Sequence, residues 1–384
     1  MSQNLKAQTD SPAFKSFVFA VFLVLVFTFR FVAEFEGSEP LKLQSSKRWT
    51  EMEVNEWYSR QPWLVGSNFL PSTASNQLEM FQEDTFDLDT IDKELGLANS
   101  IGMNTMRVFL HDLLYRDDRD GFFERLDLFL DACSKHGIRP LLVFFDSCWD
   151  GHPKSGKQEE PIPGVHNSRW VMSPGLDALN DPGIKKRLED YVRHVIRRYR
   201  TDERILGWDI WNEPDNKRTP DEMDVIHELL PAAFRWAREE GATQPLTSGV
   251  WTNYTHFNEF QKMQACSLII ELSDVISFHH YKNLTLFEAV LNQMQSYSRP
   301  VFVTEWLMRP NSLPQEYLPI TKKNKVAMFN WGFVTGRMQT RFSYNATAED
   351  LHGEEPDEWF HDLFYADGTP YRVEEIDLFK QLLL

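Results

Sequence analysis

"GWDIWNEPDN", residues 207–216, is the stretch on which the fold of this chain turns. An apolar run carrying Trp208 and Trp211 stops at Asn212 and Glu213, and Pro214, which has no amide hydrogen, forbids the strand to continue. An amide and a carboxylate therefore stand side by side at the end of a buried strand, where polar groups are costly unless they meet partners.

Working outward, seven other strand-like runs share this character: "WLVGSNF" (63–69), "MNTMRVFL" (103–110), "RPLLVFFD" (139–146), "PLTSGVW" (245–251), "DVISFHHY" (274–281), "PVFVTEW" (300–306) and "AMFNWGFV" (327–334). Amphipathic stretches such as "TIDKELGLANSIG", "FFERLDLFLDACSKHG", "GIKKRLEDYVRHVIRRYR" and "DEMDVIHELLPAAFRWAREEG" lie between runs, several ending in the Gly expected at a helix C-terminus. Strict alternation of strand and helix implies parallel strands joined by crossovers, and eight such units predict an α/β fold closed into a (β/α)8 TIM barrel over residues 56–384. An open doubly wound sheet would carry a Gly-rich phosphate turn after its first strand, and "GSNFLPST" is not one.

Composition bounds the partners. With 40 Lys plus Arg against 57 Asp plus Glu, the net charge of -17 repels nucleic acid and anionic headgroups, so a neutral or polar ligand is expected. Cys133, Cys148 and Cys266 are too few and too scattered for a disulfide framework or a zinc-ligand spacing. No metal and no cofactor is expected, since the first run also lacks the His-x-His of metal-dependent barrel hydrolases, and the chain reads as a monomer.

The N-terminus indicates export. Lys6 and Lys15 precede "SFVFAVFLVLVFTF" (16–29), shorter than the ~20 residues of a comfortable membrane span, though Arg30 could snorkel and let "FVA" extend it. Residues 1–33 are read as a signal peptide or signal anchor; Phe31, where a cleavage site wants a small residue, favours the anchor and membrane association through residues 16–33. Residues 34–55 read as a polar linker, and sequons at Asn253, Asn283 and Asn345 agree with a protein secreted, or anchored on the non-cytoplasmic side.

In a barrel of this kind, chemistry sits at the C-terminal strand ends. Those ends offer Asn68, Arg107 with His111 and Asp112, Asp146, Asn212 with Glu213, Trp251, His279 with His280 and Tyr281, Glu305 with Trp306, and Trp331. A barrel of about 250 residues spends roughly 31 per unit, so the fourth and seventh ends should lie roughly 94 apart. Glu213 and Glu305 are 92 apart. Two opposed carboxylates among aromatic rings suit glycoside cleavage, one protonating the leaving oxygen while the other meets the anomeric carbon.

Five of these segments in order, "NTMRVFL", "WDIWNEP", "HHY", "VFVTEW" and "NWGF", resemble the clan A glycoside hydrolases, and within them family 5, the cellulase and mannanase group, and sequences labelled 1,4-β-xylanases. The resemblance spans roughly residues 60–384 and implies a retaining enzyme on a β-linked glucan, mannan or xylan, endo-acting in the first instance, with an exo-β-glycosidase or a transglycosylase as alternative. A membrane-tethered, non-catalytic glycan-binding protein is the alternative of another class. Carried over residue by residue, it implies Glu213 as acid/base, Glu305 as nucleophile, Arg107 near Glu305 to favour its ionised form, and Asn212 on the sugar 2-hydroxyl. It further implies a hydrogen bond from Tyr281 to Glu305, Trp331 as a flat floor for the sugar ring, and His279 rather than His280 at the mouth. The sequence departs from the family where the third strand often ends in His; Asp146 stands there, either touching a hydroxyl or Arg or beginning the loop. Trp149 lies in the long segment after it, "CWDGHPKSGKQEEPIPGVHNSRWVMSPG" (148–175), which reads as a cleft wall.

Overall fold

A computed structural model describes residues 48–181, 183–216, 219–251, 260–346 and 355–384, all within the unit Ser46–Leu384. The segment 16–33 and Asn253 lie outside the described residues. The strands are β1 (Val65–Asn68), β2 (Thr105–Phe109), β3 (Arg139–Asp146), β4 (Gly207–Asn212), β5 (Leu246–Val250), β6 (Ile276–His279), β7 (Val301–Trp306) and β8 (Ala327–Asn330). Each pairs in parallel with the next, and β1 with β8, closing an eight-stranded barrel. All eight fall inside the runs picked out from the sequence. Apart from Arg139, every strand residue is buried, which explains why those runs are continuously apolar rather than alternating.

Helices cover the outer face. In Ile184–Tyr199 the buried residues are Ile184, Leu188, Tyr191, Val192, Val195, Ile196 and Tyr199, three or four apart, so one stripe meets the sheet while the arginines and lysines face out. Losing one such side chain, as in Leu188→Ala, costs about 2–5 kcal/mol. Helix Arg119–Lys135 ends where Gly137 takes φ 67, with Gly137 N–H on Ser134 O at 3.0 Å and Ile138 N–H on Cys133 O at 2.9 Å. That left-handed exit satisfies the last carbonyls and turns the chain straight into β3.

One helix begins inside the stretch read as linker. Glu51–Ser59 starts at Thr50, whose hydroxyl accepts from Glu53 N–H while the Glu53 carboxylate takes Thr50 N–H. This reciprocal cap, "TEME", is a helix start that the polarity of residues 34–55 masked. Val54 and Tyr58 pack with Leu64, Leu141, Leu206, Val275, Phe302, Ala327 and Phe329 in a separate core at the N-terminal ends of the strands. The helix thus plugs the bottom of the barrel, leaving the other end for chemistry. Among the described residues no helix is long and apolar enough to cross a membrane.

Candidate active site

The chain "NEPDN" builds the β4 rim. Pro214 ends the strand and occupies the second position of a turn closed by Asn216 N–H on Glu213 O at 3.0 Å. The turn folds the Asn216 amide back on its own Glu213, Nδ2 donating to Oε2 at 2.7 Å. Glu213 itself sits at φ 49, a left-handed conformation that costs a side-chain-bearing residue about 1–3 kcal/mol and is held here by surrounding bonds. A second donor, the Cys148 thiol, reaches the same Oε2 at 3.0 Å.

Glu305, at the end of β7, meets different neighbours. Arg107 of β2 donates from Nη1 to Oε1 at 3.0 Å, and the Tyr281 hydroxyl donates to Oε2 at 2.8 Å. Arg107 is fully buried and its other bonds go to Asn68 at 2.8 Å, Asn212 at 2.7 Å and Asp209 at 3.0 Å. A buried guanidinium so placed is paired by two carboxylates and oriented by two amides, and the net result holds its own charge firmly. Asp209 and Asn212 are three residues apart, yet both reach Arg107, which strict strand alternation forbids; a register shift in β4 between them makes it possible. Asp209 was missed for that reason, although a carboxylate inside an apolar run signals a buried cation partner.

His279 stands between the two acids. Its Nδ1 is 2.5 Å from Glu213 Oε1 and 3.4 Å from Glu305 Oε2, while its Nε2 has no hydrogen-bond partner among the described residues. The 2.5 Å contact has room for one proton, so with Glu213 protonated on Oε1 the ring accepts through Nδ1. Burial drives the ring down to about 4, keeping it neutral. Gly249 permits the placement, since a Cβ there would lie 2.7 Å from Nε2. His280 points the other way, bonding Tyr317 at 2.8 Å and packing on Phe287, as alternation requires.

Glu213 and Glu305 are only 3% and 6% exposed, and burial is the first cause of both their shifts. It pushes Glu213 up to about 8 against the opposing bonds from Cys148 and Asn216. It pushes Glu305 up to about 7, with His279 the largest opposing influence, Glu213 adding to the rise, and Arg107 and Tyr281 also opposing it. The ionised Glu305 expected from Arg107 alone is therefore only partly favoured before a ligand arrives, because desolvation outweighs the guanidinium. One oxygen of each carboxyl and a ring nitrogen of His279 lie within 4.8 Å of one another. By geometry alone that trio could also hold a cation.

The remaining candidates divide. Asp146 does not reach Arg107: its Oδ1 takes Asn212 Nδ2 at 2.8 Å and Cys148 N–H at 3.1 Å, and its Oδ2 takes Trp170 Nε1 at 2.5 Å. Both oxygens being occupied, it fixes the Asn212 amide. Trp331 is nearly buried, with its ring 5.5 Å from Trp170 and 6.1 Å from Phe109, both edge-on. Trp149 is 46% exposed on the rim, next to the thiol that holds Glu213. Asn216 and Cys148 were not foreseen; the turn residues "EPDN" could have signalled the first, and nothing in the sequence signals the second. A cavity of about 520 Å³ lies elsewhere, among Tyr115, Arg116, Arg187, Tyr191 and His194, but its arginines are already paired with Asp117 and Asp181 and it holds neither Glu213 nor Glu305.

Residues 87–335, spanning most of the barrel, match the cellulase family, glycosyl hydrolase family 5. The chain belongs to that family. Among its relatives, the family 5 protein is similar to mannan endo-1,4-beta-mannosidase A of Emericella nidulans, 26% identical over 169 residues, or 42% of this chain and 40% of that one. It thus matches about two-fifths of that relative's length. Among solved structures it resembles an exo-beta-1,4-mannosidase from Opitutaceae bacterium strain TAV5 (TM-score 0.58, 18% identity, 83% of this chain and 59% of that one). It also resembles the endo-beta-1,4-mannanase from Thermotoga petrophila (TM-score 0.53, 15% identity, 83% and 76%). At those identities the structures bear on the fold alone.

Proposed function

We propose that this family 5 protein is a retaining hydrolase of β-glycosidic bonds, with β-mannosidic substrates first in line because its sequence relatives are named mannan endo-1,4-beta-mannosidases. The observation that carries the reading is the pair of buried carboxyls from the ends of β4 and β7, one oxygen of each within 4.8 Å of the other, as two acids acting on one anomeric carbon require. In the first step the ionised Glu305 attacks the anomeric carbon, the bond to the leaving oxygen breaks, and Glu213 gives that oxygen its proton. Arg107 and Tyr281 hold Glu305 in line. In the second step Glu213, now a carboxylate, takes a proton from water, whose oxygen displaces Glu305 from the same carbon. Asn212, its amide fixed by Arg107 and Asp146, serves the sugar 2-hydroxyl, and Trp331 serves the ring face. Trp149 offers an exposed indole at the rim.

Export is part of the proposal: Asn283 and Asn345 are both exposed, as glycan acceptors must be. The test is stereochemical. Proton NMR during hydrolysis of an aryl β-glycoside should show the β-sugar first, and first appearance of the α-sugar would exclude double displacement.

A further inference from the structure

Three loops at the barrel mouth are tied into one body. The segment after β3 is bound to the segment after β8: Asn167 N–H to Met338 O at 3.1 Å, His166 Nδ1 to Phe342 O at 2.8 Å, and Gly164 N–H to the Gln339 carboxamide oxygen at 3.0 Å. The Gln339 amide nitrogen returns bonds to Ile162 O at 2.8 Å and Val165 O at 3.2 Å. The loop after β1 joins both, Gln77 donating to Val171 O at 2.8 Å and Glu79 pairing with Arg337 at 3.1 Å. These three loops rise from β8, β1 and β3, so together they fence the arc from β8 through β3.

The fence stands one side chain away from the reacting groups. His361 and Tyr344, on the segment after β8, lie 5.6 and 6.2 Å from the Tyr281 ring, whose hydroxyl holds Glu305. At its other end Trp170 lies 5.5 Å from Trp331 and bonds Asp146, which fixes Asn212. The groups it backs, Glu305, Asn212 and Trp331, are those assigned to the sugar that keeps its anomeric carbon on the enzyme. Glu213, which serves the departing oxygen, has Cys148 beside it, and the next residue, Trp149, is exposed with its ring 5.6 Å from His166 of the same segment.

We propose that this wall limits the glycone side to a single sugar ring, so that the enzyme removes one residue at a time from the non-reducing ends of β-linked oligosaccharides. The inference rests on the hydrolase reading above and takes the exo alternative in place of the endo action expected in the first instance. A chain bound mid-way would need a second glycone ring where the three loops are hydrogen-bonded together.

The test uses two substrates with the full chain: a 4-nitrophenyl β-mannoside, and a linear β-1,4-mannopentaose tagged at its reducing end. The expected result is hydrolysis of both, with the tagged tetraose as first product and monosaccharide released with it. Tagged dimer or trimer in the first turnovers, with the aryl mannoside still cleaved, would overturn this inference and leave the hydrolase reading standing. No cleavage of the mannosides or of the corresponding glucosides and xylosides would overturn both. Gln339→Ala, which severs three of the ties, should raise the share of internal cuts by about tenfold while aryl glycoside turnover stays near the parent's. A folded Gln339→Ala protein cutting the pentaose as the parent does would remove the wall as the limit.

Discussion

The ends of β4 and β7 present the same residue type at nearly the same burial, Glu213 at 3% exposure and Glu305 at 6%, yet their neighbours differ in kind. Glu305 has a guanidinium and a phenol; Glu213 has a thiol, an amide and a neutral imidazole. Burial alone pushes both carboxyls upward, so it cannot tell them apart. The cation can, because a full positive charge at 3.0 Å in a low-dielectric site favours a carboxylate far more than neutral donors do. The proposed division of labour between the two acids rests on that difference.

Substitution breaks the symmetry most at Glu305. Glu305→Ala should lower turnover by more than the ~10⁴-fold that acid–base assistance can supply, for every substrate, since no covalent intermediate can form. Steady-state rates within tenfold of the parent would refute the assignment. Glu213→Ala should cost ~10²–10⁴-fold with alkyl leaving groups and far less with 4-nitrophenyl, whose departure needs no proton. An equal loss for both would mean Glu213 is not the acid.

Stability sharpens the comparison next. The ordinary Glu value of 4.5 rises to about 8 at Glu213, so the folded protein retains a proton there that the unfolded chain releases. The associated stability is full below 4.5 and is lost as pH climbs through about 8. Glu213→Gln cannot ionise, so its Tm should fall less than the parent's between mildly acidic and mildly alkaline buffer. Parallel Tm curves would show that the carboxyl is not protonated in the fold. The smallest effect belongs to Cys148. Its thiol donates to Glu213 and favours the ionised form, so Cys148→Ala should move the alkaline limb of kcat/KM upward by roughly half a unit, worth about 0.7 kcal/mol, and Cys148→Ser should restore it. A limb that stays put in Cys148→Ala would make the thiol a bystander.

The strands and the two acids were readable because each is local. Pro214 stops β4 and Gly137 releases the chain into β3, signals that act on their immediate neighbours. What escaped is non-local or irregular: Asp209 joins Arg107 through a register shift, Cys148 meets Glu213 from another loop, and "TEME" was hidden in a polar stretch. Asp146 was correctly placed at its strand end, but its partners Asn212 and Trp170 are 66 and 24 residues away, so its bonds could not be read from its neighbours.

Sequence by itself determined the eight-fold alternation, the barrel it closes into and the two carboxylates at its rim, because hydrophobic period and turn chemistry are properties of short windows. Only the tertiary structure decided that Asp209 shares Arg107, that desolvation lifts both carboxyls, and that loops from β1, β3 and β8 lock together beside them. Desolvation and charge act through space, and they depend on distances that the chain sets only once it has closed on itself.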